Sequence, residues 1–129
     1  MSDKQVVRTE EAPAPFQGAP YNQATVAGGF VFVAGQLGLE PGATVVVDGG
    51  IAPQTERVFA NLRAILEAAG SSLDRVVKTT VFLRDLEDFT GMNEIYARHI
   101  GAMPPARSTV EVGRLPAGAL VEIEAIALA

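Results

Sequence analysis

PQTERVFANLRAILEAAGSSLDRVVKTTVFLR, residues 53–84, changes its hydrophobic period part-way along. Val58, Leu62, Ile65 and Ala69 recur at helical spacing, and Phe59 and Leu66 widen the apolar stripe, so 53–69 reads as an amphipathic helix. Pro53 suits a first helical turn and Gly70 a C-terminal stop. At about 1.5 Å per residue the helix is about 25 Å long. Residues 76–84 then switch to a period of two: Val77, Thr79, Val81 and Leu83 alternate with Lys78, Thr80 and Phe82, which predicts a strand.

Working outward, a second helix is expected at about 88–99, with Asp88 as N-cap and Met92, Ile95, Tyr96 and His99 on one side. RSTVEV (107–112) and LVEIEAIAL (120–128) read as closing strands. Upstream, QVVRT (5–9) reads as a short strand, followed by a Pro-rich loop over 10–20. PYNQATVAGGFVFVAGQLGLEPG, starting at Pro20, reads as two strands around a Gly28–Gly29 turn. The run Phe30–Ala34 is expected to form a central strand buried on both faces. Gly35 is expected to end it, where the backbone needs an unusual angle or an open approach. The order is β-β-β-α-β-α-β-β. The expected class is α+β, with helices on one face of a mixed sheet and residues 1–129 as one domain.

Composition narrows the chemistry. There is no Cys and one histidine, His99, which excludes disulfides, thiolate nucleophiles and Cys/His zinc sites and leaves one candidate imidazole base. Ten basic against fifteen acidic residues give a net charge of −5. The arginines are scattered, whereas a nucleic-acid binder concentrates positive charge on one face, so no nucleic-acid partner is expected. Residues 12–39 carry no charge, but prolines and glycines interrupt them, and no membrane span is expected. The N-terminal residues lack an apolar targeting core, so a soluble cytoplasmic protein is expected. With its 13 glycines counted beside the 48% hydrophobic residues, the apolar share exceeds the about 45–50% of ordinary domains. That surplus suggests a partner subunit.

Strand alternation sorts the candidate site residues. Arg107, Thr109 and Glu111 point one way and Ser108, Val110 and Val112 the other. Glu122 and Glu124 share a face with Leu120, Ile126 and Leu128, about 7 Å apart along the strand, opposite a purely apolar face of Val121, Ile123, Ala125 and Ala127. Carboxylates in such a strand are wet, paired or protonated, because burying them alone is costly. His99 at a helix end reads as structural. Asn93 reads as a solvated mid-helix residue or a functional one, Tyr21 as a core edge with a wet hydroxyl, and Phe16 and Phe89 as core. The glycines show no phosphate-binding spacing before a helix.

Longer motifs add a family resemblance. PPARSTVEVGRLPAGALVEIEAIA (104–127) resembles the C-terminal signature of the RidA/YjgF family, the reactive-intermediate imine deaminases. APYNQA (19–24), VFVAGQL (31–37), ILEAAG (65–70), VVKTTVFLRDLEDF (76–89) and MNEIYA (92–97) extend it in order over nearly the whole chain from Ala19. The resemblance implies a chorismate-mutase-like α+β fold and a homotrimer with ligand sites in the clefts between subunits. It also implies cofactor-free, metal-free hydrolysis of 2-imino acids and their enamine tautomers, such as 2-iminobutanoate and 2-iminopropanoate, to 2-oxo acids and ammonia. Pyridoxal-phosphate dehydratases release these species, which makes such enzymes the implied functional partners.

Carried onto this chain, Arg107 matches the arginine that binds the substrate carboxylate, and a guanidinium suits that role through two parallel hydrogen bonds. Glu122 matches the glutamate that places or activates water. Tyr21, Gly35, Asn93 and Thr109 match pocket-lining positions. Two residues depart from the pattern: Ala34 stands where many members carry a hydroxyl, and Thr109 where some carry Cys. A small-carboxylate binding module, a holdase-like chaperone and, with less support, a ribonuclease are the alternative readings.

Overall fold

The computed structural model describes residues 3–129. In chain order its strands and helices are β1 (Gln5–Val7), β2 (Ala24–Ala27), β3 (Phe30–Leu37), α1 (Ile51–Ala68), β4 (Val76–Leu83), α2 (Phe89–Ile100), β5 (Ala106–Glu111) and β6 (Val121–Leu128). This is the expected order. The strands form one mixed sheet, β1-β2-β3-β6-β4-β5, in which β4 and β5 run parallel and the other neighbours antiparallel. β2 and β3 meet at Gly28 and Gly29, with φ of 59° and 84°. Ala27 pairs with Phe30 across them. Two left-handed residues match the right-handed twist of a tight hairpin, and glycine adopts them without a Cβ clash.

The core lies between the sheet and the two helices. Val58, Phe59, Leu62, Ile65 and Leu66 of α1 and Met92, Tyr96 and Ile100 of α2 pack with Val31, Val33, Val81, Leu83, Val121, Ile123, Ala125 and Ala127. The alternation read in β6 holds residue by residue. Val121, Ile123, Ala125 and Ala127 are buried, and Glu122, Glu124, Ile126 and Leu128 are partly or fully exposed.

β3 is not buried on both faces as expected. Val31 and Val33 are buried, but Phe30 and Phe32 remain 38% and 42% exposed. Only one side of the sheet is covered by helices, so a continuous apolar run places every second side chain on the uncovered side. Gly35 does not end the strand either. The strand runs on to Leu37, with a register shift between Val33 and Gln36.

The capping assignment also differs. Asp88 stands at the N-cap position of α2 without a side-chain cap bond, whereas Asp85 accepts from the Glu87 N–H at 2.8 Å and caps the preceding 3-10 turn. The loop closes one turn earlier, which consumes the capping carboxylate upstream of the helix.

Two buried polar residues of α1 fix the strand ends. Asn61 donates to the Leu37 and Leu39 carbonyls at 3.0 and 2.9 Å and accepts from Arg57. Gln54 accepts from the Leu120 N–H at 2.8 Å. With these bonds made, burial leaves the amide side chains satisfied and ties the far ends of β3 and β6 to the helix.

Candidate functional site

Glu122 rises from β6 on the uncovered face and lies against Gly35 of β3. A Cβ at Gly35 would come within 2.7 Å of the Glu122 carboxyl carbon. Gly35 has an ordinary φ, so what requires glycine here is the close approach rather than the turn. The open-approach half of the expectation is therefore the one realised. Glu122 and Gly35 line an open cleft of about 520 Å³ with Tyr21, Ala34, Phe16 and Pro116.

Tyr21 is 43% exposed, and its hydroxyl accepts from the Phe16 N–H at 2.6 Å, which anchors the loop wall of the cleft. Phe16 is half-buried and packs against Leu37, Leu39 and Ala119 rather than in the main core. Ala34 lines the cleft beside Gly35, so its missing hydroxyl is missing from the wall itself. Gln17, another lining residue, and Ala117, beside Pro116, hold φ of 54° and 59°. Left-handed non-glycine residues of this kind cost of order 1–3 kcal/mol and concentrate where backbone shape serves a ligand.

Burial, and secondarily Glu124, push the Glu122 carboxyl above its ordinary value of 4.5. A carboxylate in this state is a stronger base than one in water.

Arg107 belongs to a second group of residues. Its guanidinium carbon lies 4.7 Å from the Tyr96 ring centroid and 5.5 Å from that of Phe89, both within cation–π range. Phe89 is 40% exposed and not a core residue; it starts α2 at the sheet edge, where its ring meets a cation instead of the interior. Asn93 falls between Phe89 and Tyr96 at spacings of four and three, which puts all three on one side of α2. It is not simply solvated, since its Oδ1 is buried and has no hydrogen-bond partner. Thr109 follows Arg107 on the same face of β5 and is half-buried.

The two groups do not meet within the chain. β4 pairs Thr79 with Arg107 on one side and with Ala125 on the other, so Arg107 shares the helix-covered face. The same strand pairs Phe82 with Glu122, an odd number of residues away, and so on the opposite face. β5 and β6 are also separated by β4, which adds two strand spacings, about 10 Å. Tyr21, Gly35 and Glu122 make up one candidate half-site, and Arg107, Asn93 and Thr109 the other.

His99 joins neither half-site. It stacks on Phe59 at 4.8 Å with rings 4° from parallel and pairs with Glu56 of α1, the structural role expected of it. Among the described residues no group of three or more His, Cys, Asp or Glu side chains could hold a metal ion. No helix there is long and apolar enough to cross a membrane. The ring platform under Arg107 was missing from the sequence reading. Phe89 and Tyr96 carry a helical apolar pattern indistinguishable from core, and only the parallel β4–β5 pairing brings Arg107 to them.

A family model described as Endoribonuclease L-PSP matches residues 9–129. A RutC family protein of Pyrococcus horikoshii is 52% identical over 124 residues, covering 96% of this chain and 97% of its own. The human protein named 2-iminobutanoate/2-iminopropanoate deaminase is 38% identical over 125 residues, covering 97% of this chain and 90% of its own. The crystal structure of yeast Mmf1 superposes with a TM-score of 0.91 at 41% identity, covering 97% of this chain and 98% of its own.

Proposed function

The chain belongs to the Endoribonuclease L-PSP family, which includes the RidA/YjgF imine deaminases, and we propose that it hydrolyses reactive 2-imino acids and their enamine tautomers to 2-oxo acids and ammonia. The substrate class is that named for the human relative, 2-iminobutanoate and 2-iminopropanoate. The observation that carries the reading is the complementarity of the two half-sites. One offers a guanidinium with no hydrogen bond or ion pair among the described residues, and the other a half-buried carboxylate of raised basicity beside a cleft.

In this reading Arg107 binds the substrate carboxylate through paired N–H donors. Glu122 takes a proton from water as the water oxygen attacks the imine carbon. Glu122 returns that proton to the nitrogen of the resulting carbinolamine, then takes the hydroxyl proton as the C–N bond breaks, so ammonia leaves and the 2-oxo acid forms. A protonated imine is already electrophilic, so water placement and carboxylate binding supply most of what the step needs. Asn93, Thr109, Tyr21 and Gly35 line the pocket.

Because Arg107 and Glu122 face opposite sides of one sheet, the working site takes Arg107 from one copy and Glu122 from the next. A homotrimer supplies this arrangement in a closed ring. The uncovered apolar face of Phe30, Phe32, Phe82, Ile126 and Leu128 is the surface it would bury. A cytoplasmic setting beside pyridoxal-phosphate dehydratases, which release such imines, fits the reaction.

Ribonuclease chemistry finds less support. The net charge is −5, and the one histidine is engaged with Glu56.

The test is a coupled assay in which a threonine or serine dehydratase generates the imine. The intact protein is expected to accelerate release of the 2-oxo acid. Arg107→Ala should reduce kcat/KM roughly a hundredfold or more, as for two hydrogen bonds to a charged group. No acceleration by the intact protein would overturn the assignment.

A further inference from the structure

We infer that Tyr96, held by Thr79, is a positioning residue that aims Arg107 at the substrate carboxylate. The inference rests on the deaminase reading above and adds to it a residue that touches no reacting atom.

Three contacts close a circuit. Thr79 and Arg107 are direct partners in the parallel β4–β5 ladder. The Thr79 and Tyr96 hydroxyls hydrogen-bond at 2.7 Å in a buried position. The Tyr96 ring centroid lies 4.7 Å from the Arg107 guanidinium carbon. Thr79 is 1% exposed and Tyr96 6%, and the Tyr96 ring meets Phe59 edge-on at 5.4 Å and 83°, so the ring cannot swing. The strand pairing that sets the Arg107 backbone therefore also sets the ring that receives its side chain.

Arginine otherwise carries about 2 kcal/mol of rotamer entropy, and no described carboxylate holds this one. A ring contact restrains the guanidinium without occupying its N–H donors, which leaves both donors of a fork free for an anion. An ion pair would fix the side chain equally well but would compete with the substrate. Phe89 borders the guanidinium at the more exposed edge, at 5.5 Å.

The experiment measures kcat and KM in the coupled dehydratase assay for Tyr96→Met, Tyr96→Phe, Thr79→Val and Arg107→Ala, with thermal unfolding run in parallel. Tyr96→Met fills the space without a π face and is expected to raise KM about tenfold with kcat within about twofold. Tyr96→Phe keeps the ring but loses the same tether as Thr79→Val, and should raise KM about threefold. Thr79→Val keeps the volume and loses the tether, and should raise KM about threefold even if Tyr96→Met does not fold. An unchanged KM in Tyr96→Met or in Thr79→Val, or equal losses in Tyr96→Met and Tyr96→Phe, would overturn the positioning role while Arg107→Ala still abolished activity. An unaffected Arg107→Ala would instead bring down the deaminase reading beneath it.

Discussion

Glu122 lies across the backbone of Gly35, so close that a Cβ there would come within 2.7 Å of its carboxyl carbon. The contact joins the neighbouring strands β3 and β6 at the point where their register shifts between Val33 and Gln36. A missing side chain on one strand is what lets the carboxylate of the other lie down into the cleft.

Gly35→Ala should therefore impair the reaction by displacing the carboxylate. Misplacing a reacting group by about 1 Å costs on the order of a hundredfold in rate, and a loss of that order in kcat is expected. The φ at Gly35 is not left-handed, so the unfolding midpoint should fall little. Steady-state kinetics and thermal unfolding on the same preparation separate the two effects.

Glu122 also predicts a pH dependence. As the proposed general base it must be ionised, and burial together with Glu124 raises its pKa, so the acid limb of kcat/KM should lie above 4.5. Stability follows the opposite sign. A carboxyl whose pKa rises on folding favours the folded state while protonated. That contribution is present below the unfolded value near 4.5 and is lost as pH rises through the raised folded value. Glu122→Gln should accordingly raise the unfolding midpoint at neutral pH, with the gain shrinking toward pH 4.5 and below. Melting curves across pH 4 to 8 at constant ionic strength would show a flat difference if the carboxyl were not perturbed.

The uncovered sheet face gives a third prediction. Phe32, 42% exposed at its centre, is proposed to be buried between copies. A carboxylate there would have to be desolvated, at a cost of several kcal/mol, so Phe32→Glu should sediment as a monomer and lack deaminase activity while keeping its far-UV circular dichroism. A variant that keeps the parent's sedimentation coefficient would place the interface elsewhere.

Much of the fold was legible because it is written in local periods. The β6 alternation of Val121, Ile123, Ala125 and Ala127 against Glu122 and Glu124 needs no partner strand to be read. The stripe of Val58, Leu62 and Ile65 likewise announces its own helix. What was misread depended on partners far along the chain. Phe30 and Phe32 suggested a strand buried twice over, but covering the second face requires another layer that the two helices do not provide. Phe89 looked like core because nothing local distinguishes a ring under a guanidinium from a ring under a leucine.

The candidate site residues were named through family motifs, which carry no geometry. Whether Arg107 and Glu122 share a face depends on β6 inserting between β3 and β4 and on β5 running parallel to β4. β4 and β5 are separated by α2, β4 and β6 by α2 and β5, and β3 and β6 by two helices and two strands. No periodicity in RSTVEV or LVEIEAIAL carries that information.

A working site that takes Arg107 from one copy and Glu122 from another can be rebuilt by mixing subunits. Arg107→Ala and Glu122→Gln, each inactive alone, are to be unfolded together in equal amounts, refolded and assayed. In a closed ring of randomly mixed copies, about a quarter of the sites would pair an intact Arg107 with an intact neighbouring Glu122, so about a quarter of the parent activity is expected to return. If both residues acted within one chain, no mixture could contain an intact site, and activity that stayed at the level of the separate variants would rule out a site shared between copies.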